Sequence, residues 1–183
     1  GGSVLAPALA GDSLLERIKE RGYASAGFYN ERYAAFVDEN RNLTGIFPAV
    51  GVDIIKKEIG IDDIQVVLTQ WQSLIPGLQA KRYDFIIAGM YITPERCKQA
   101  LFTNPFRCST DSFAFRSNSD SKAKSYADLA KDTSLKLGVV AGSTQSAYAV
   151  QNGVEEGRLQ FYSEPLDGLG ALKTGRIDVW LGP

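Results

Sequence analysis

Arg96 is the first residue whose surroundings suggest chemistry. It follows a strand-like run from Tyr83 to Ala88, a glycine at position 89, and the stretch Thr93-Pro-Glu-Arg96. Threonine before proline is a helix start. The Thr93 side chain caps an orphan N–H, Pro94 occupies the first helical position where no N–H is needed, and Glu95 complements the positive end of the macrodipole. Arg96 then falls in the first turn, where its guanidinium and the loop N–H groups of Tyr91 and Ile92 can converge on one anion. A carboxylate fits best, because a guanidinium grips it through two parallel hydrogen bonds. The competing reading is an ordinary exposed helix arginine.

A second anion site is expected at Ala141-Gly142-Ser143-Thr144-Gln145, a loop that opens a helix and aims N–H groups at its end. Here the plainer reading is Thr144 as an N-cap and nothing more. Tyr33, Trp71 and Tyr91 stand at loop ends after predicted strands, and aromatic faces around a cation contribute about 0.5 to 2 kcal/mol each. Core packing competes for any one of them; for all three together, ligand contact is the expectation. Glu31 supplies a nearby carboxylate for an N–H of that cation, against the alternative of a solvated loop residue.

The elements that position these residues alternate helix and strand. Ser13 and Glu16 form a capping box for a helix carrying Leu14, Leu15 and Ile18 and closed by Gly22. Expected next are a strand over 23–29, a polar hairpin-like turn over 37–45, a helix over 48–58 stopped by Gly60, and a strand over 64–69 leading into Gln70-Trp71-Gln72-Ser73. After the Arg96 helix come a strand over 111–116 and the polar run Ser117 to Lys122. A second series follows: helix 126–130 capped by Ser125 with Asp128, strand 135–140, helix to Asn152, strand 159–162, helix 165–174 and strand 177–181. This order predicts an α/β fold with a parallel or mixed sheet. Leu78 to Ile87 and Leu172 to Leu181 echo each other: helix end, basic turn, Asp84 or Asp178, strand. Two related lobes would produce that echo, although common αβ turns also recur by chance.

At 183 residues and 44% apolar content the chain can bury a core in one larger or two small domains. A net charge of -1 and no basic run give no electrostatic case for nucleic acid. No apolar stretch is long enough to span a membrane. With no His and two Cys, zinc and haem sites lack their usual ligands, and no cofactor is expected. Residues 1–11 end in an Ala-Leu-Ala step like the tail of a secretory signal peptide, with a linker as the alternative. Export would place Cys97 and Cys108 in an oxidising compartment, where a disulfide is open to them; two free buried thiols are the other possibility.

The tract Gly89-Met-Tyr-Ile-Thr-Pro-Glu-Arg96, with the strand led by Asp84, resembles the signature of the solute-binding proteins of bacterial polar amino-acid ABC importers. The resemblance implies a two-lobe periplasmic-binding-protein type II fold that closes around its ligand. It further implies that Arg96 grips the ligand's α-carboxylate, that backbone around Gly89 and Tyr91 touches ligand, and that Gly142, Ser143 and Thr144 meet the carboxylate as the lobes close. Residues 12–116 would form lobe one and 117–183 lobe two, with the family's return to lobe one missing after Pro183. Amino-acid binders of the family usually carry an Asp around 181–183 for the α-ammonium, where this chain has Leu181-Gly182-Pro183. That departure, with Glu31, Trp71, Tyr91 and Arg96, is most similar to the ectoine and hydroxyectoine branch. There an aromatic box surrounds a cyclic amidinium; Tyr33 completes it less securely than the other two, with Phe36 as its substitute.

The implied partners are a small zwitterionic ligand and a membrane ABC permease, with the receptor periplasmic and, if complete, a monomer. The rival readings are an enzyme resembling periplasmic cyclohexadienyl dehydratases, with Glu31 as general acid, and a piece of an engineered or split binding protein.

Overall fold

The computed structural model describes residues 13–183; the expected signal remnant lies outside them. The first lobe begins as its local chemistry dictates. Helix α1, Leu14–Arg21, starts on a Ser13–Glu16 capping box and ends at Gly22 in the left-handed conformation. Strand β1, Tyr23–Phe28, lies between β4, Asp63–Leu68, and β5, Phe85–Ile86, all parallel, with Tyr23 opposite Asp63 and Ala26 opposite Phe85. The expected strand over 83–88 thus has a two-residue ladder, extended by Asp84 N–H to the Ser25 carbonyl and Ile87 N–H to the Gly27 carbonyl, both 2.9 Å.

Between β1 and β4 the chain forms a small hairpin, β2 Phe36–Val37 against β3 Leu43–Thr44, and then helix α2, Ile46–Ile54. The helix starts two residues before Pro48 and widens into a π turn over Ile55–Ile59, ending at Gly60. A 3-10 turn, Trp71–Ser73, leads into α3, Leu74–Gln79. Ile18, Ala24, Ala26, Ile55, Ile61 and Ile87 form this lobe's core. Small residues on β1 make room: a Cβ on Gly27 would sit 2.5 Å from the Tyr83 ring.

The second sheet is ordered β6-β9-β7-β8. Its strands are β6 Ser112–Phe115, β7 Leu137–Val140, β8 Leu159–Tyr162 and β9 Val179–Gly182. Strand β7 pairs in parallel with β8 and β9, whereas β6 runs antiparallel to β9, with Ser112 opposite Gly182. Helices α5, Tyr126–Lys131, and α6, Thr144–Gln151, cover a core of Leu129, Leu137, Val139, Ala149, Val154, Leu159, Val179 and Leu181. Helix α7, Pro165–Lys173, packs a second cluster around Ala171, Ile177 and Trp180. The pairing of β6 corrects the expected division at Arg116: that strand belongs to the second sheet, so the crossing between sheets lies before Ser112. The polar run 117–122 is a surface connection within the second lobe.

The echo between Asp84 and Asp178 is structural. Asp84 accepts from Arg21 and from the Ser25 N–H and hydroxyl at 2.8 Å. Asp178 accepts from Arg116 at 3.1 Å and the Lys136 N–H at 2.9 Å. In both sheets an acid ahead of a strand ties an arginine to the start of the neighbouring central strand.

Candidate functional site: the cleft between the lobes

Arg96 sits in a four-residue helix, α4, Pro94–Cys97, whose start is held by the Thr93 side chain accepting from the Arg96 N–H at 3.3 Å. The cap and Pro94 therefore aim Arg96 back at the preceding loop. Its Nη1 donates to the Tyr91 carbonyl at 3.0 Å and its Nη2 to the Gly142 carbonyl of the other lobe at 3.3 Å. The guanidinium lies 5.7 Å from the centre of the Trp71 ring. Burial works against the charge of this group and Tyr148 works for it; an arginine remains charged in such a setting. Gly89 has φ 62°, and a Cβ there would run into the Phe47 ring, so only glycine fits.

Across the cleft, β7 exits into Ala141-Gly142-Ser143. Gly142 has φ 75°, and a Cβ on it would lie 2.9 Å from the Gln72 Cβ of the first lobe. The N-cap of α6 is Ser143, one residue earlier than expected, and its hydroxyl makes no capping bond. Thr144 is the first helical residue and is buried. Beneath it Gln145 donates to Asp111 Oδ1 at 2.7 Å while the Tyr126 hydroxyl donates to Oδ2 at 2.7 Å. This network fixes the first turn of α6 to the segment that crosses between the sheets.

The third side is aromatic. Trp71 meets Tyr29 edge-on, with ring centres 5.6 Å apart at 73°. Tyr29, Leu74 and Ala88 form a buried cluster joined by Trp71, Met90 and, from the second lobe, Val140. Among the described residues, three buried side-chain polar atoms have no hydrogen-bond partner: Trp71 Nε1, Tyr91 Oη and Ser143 Oγ. A buried polar atom without a partner is costly and uncommon. All three belong to residues that the sequence nominates as ligand contacts.

Glu31 closes a tight loop, its N–H donating to the Ala35 carbonyl at 2.8 Å. Burial raises the pKa of its carboxyl, and Arg107 pulls it the other way. Tyr33 makes no ring contact with Trp71 or Arg96 among those observed. It adopts φ 71°, is 71% exposed, and meets Phe36 edge-on at 6.4 Å. Cys97 and Cys108 are also corrected: both are free and both are exposed, so neither the disulfide nor the buried-thiol alternative holds. No regular element lies between α4 and β6 to bring them back together.

Two cleft residues escaped the sequence reading, Tyr29 and Gln72. Gln72 lies next to Trp71, and Tyr29 is itself the expected end of the first strand, where an aromatic at a strand exit was the available signal. A cavity lined by Asp111, Phe113, Lys124, Tyr126 and Asn152 opens elsewhere on the second lobe and contains none of the cleft residues.

Residues 29–173 match the family described as bacterial extracellular solute-binding proteins, family 3. The chain is 33% identical over 178 residues to a probable amino-acid ABC transporter periplasmic-binding protein, y4tE, of Sinorhizobium fredii, covering 96% of this chain and 58% of that protein. Among solved structures it resembles EhuB in complex with hydroxyectoine, with TM-score 0.87 and 34% identity over 93% of this chain and 66% of the other. It also resembles AncCDT-1, an ancestral amino acid-binding protein and precursor of cyclohexadienyl dehydratase, with TM-score 0.82 and 26% identity over 93% and 74% of the two chains.

Proposed function

This chain belongs to the bacterial extracellular solute-binding proteins, family 3, and we propose that it carries the ligand cleft of the periplasmic substrate-binding component of an ABC importer. The ligand is a compact zwitterion handed to a membrane permease. Arg96 takes the carboxylate, joined by the N–H groups at the start of α6 and by Thr144. Trp71 and Tyr91 wall the cationic end and Glu31 accepts from its N–H. Gly89 and Gly142 let backbone approach.

The observation that carries this reading is the set of three unpartnered buried atoms, Trp71 Nε1, Tyr91 Oη and Ser143 Oγ, on both lobes of one cleft that also holds a desolvated guanidinium. Folding normally pairs buried polar atoms, so three left open around one guanidinium suit a polar ligand. The likeness to the hydroxyectoine complex favours an ectoine-type solute over an ordinary polar amino acid. Calorimetric titration with ectoine, hydroxyectoine, glycine betaine and L-arginine tests it. Micromolar or tighter binding of the ectoines alone is expected; preference for arginine would keep the receptor and discard the ectoine assignment.

A second reading has one observation in its favour, the raised pKa of Glu31, which suits a general acid. The unpartnered polar atoms on both lobes make binding the better account. Turnover of prephenate by the purified chain would reverse that preference.

A further inference from the structure

Two lobes that close on a ligand need contacts that exist in the closed arrangement alone, since these set the open-to-closed equilibrium. Two contacts between the lobes involve residues already assigned to the ligand: Arg96 with the Gly142 carbonyl, and Gly142 against Gln72. A third is independent of them. The Tyr29 hydroxyl donates to the main-chain carbonyl of Ser163 at 2.7 Å. Tyr29 is the first residue after β1 and Ser163 the first after β8, so two strand exits, one from each sheet, face each other across the cleft. Tyr29 is 3% exposed, and its ring is the one that meets Trp71 edge-on.

We propose that Tyr29 is a closure latch, its hydroxyl holding the lobes together through the Ser163 carbonyl and its ring tying that bond to the Trp71 wall of the cleft. The coupling to ligand rests on the solute-binding role proposed above; the latch itself is a property of the chain without ligand. Phenylalanine would fill the same space but leave the Ser163 carbonyl without its donor. Because the acceptor is main chain, the side chain at 163 plays no part. Burial, with Glu31 from the first lobe and Glu164 and Asp167 from the second, raises the hydroxyl's pKa, which keeps it a neutral donor.

The test compares Tyr29→Phe and Ser163→Ala with the parent chain, in a background of Cys97→Ser and Cys108→Ser with spin labels at Lys56→Cys on the first lobe and Lys173→Cys on the second. Interlobe distances are recorded first without ligand. Losing one hydrogen bond should lower the closed-to-open ratio about two- to tenfold in Tyr29→Phe, with Ser163→Ala unchanged. An identical distance distribution in Tyr29→Phe and parent, or an equal shift in Ser163→Ala, would overturn the latch. With hydroxyectoine as the probe, release from Tyr29→Phe should be faster by the same factor, with the association rate unaltered. Absence of hydroxyectoine binding to the parent would count against the ligand assignment, and the ligand-free distances would still decide the latch.

Discussion

Trp71 brings two separable things to the cleft, a ring face and a buried N–H without a partner. Trp71→Phe keeps most of the wall and the edge contact with Tyr29 but removes the donor. If that N–H meets a charged ligand oxygen, affinity should fall about tenfold or more, in line with roughly 1.5 to 3 kcal/mol for a hydrogen bond to a charged group. Equal affinity of Trp71→Phe and parent in titration would give the residue a packing role only. Glu31 makes a prediction of opposite sign for stability. Burial raises its folded pKa, so the native state holds this proton more readily than the unfolded chain does. The ionised form therefore costs stability above the folded pKa, and the cost fades as pH falls through it. Glu31→Gln should raise the melting temperature at neutral pH, with the gain shrinking toward acid, while affinity for a cationic ligand drops. A lower melting temperature at neutral pH would mean instead that the carboxylate has a stabilising partner.

The repeated acid ahead of a strand tests the elements. Asp84 is 9% exposed at its side chain and Asp178 is 29% exposed, although the two make similar bonds. Breaking the more buried pair should cost more: about 3 kcal/mol for Asp84→Ala and about 1 kcal/mol for Asp178→Ala, measured by denaturant unfolding. Equal costs would mean that burial does not set the difference. The helix end, basic turn, acid and strand were legible because they lie within about ten residues, as were the capped starts of α1, α4 and α5, whereas the acids' partners Arg21 and Arg116 are remote in sequence and were not. Local chemistry fixes those positions. The membership of β6 was not legible. Its partner β9 lies across the whole second lobe, and no feature near Ser112 records an antiparallel neighbour so remote. The left-handed backbone at Tyr33, inside the loop closed by Glu31 and Ala35, was also not legible, because residue type alone does not signal it. The π turn after Ile54 likewise has no sequence signature that periodicity could register.

For the whole molecule, the cleft is made by two sheets meeting at strand exits, and glycine sets how close they come. Gly142 needs a left-handed φ and faces Gln72 without a Cβ. Gly142→Ala should hold the lobes apart and weaken ligand binding at least tenfold while each lobe's core stays intact. Retained affinity would show that the close approach is incidental. At every scale the cleft depends on one charge pairing with one carboxylate, so titration of Arg96→Ala beside the parent, with the tightest ligand found for the parent, is the most direct test. Loss of a charged partner from a desolvated carboxylate should cost about 2 to 5 kcal/mol, or roughly thirty- to several-thousand-fold in affinity. Binding by Arg96→Ala as tight as by the parent would contradict this pairing, because Arg96 is the guanidinium held between the Tyr91 and Gly142 carbonyls where the two lobes meet.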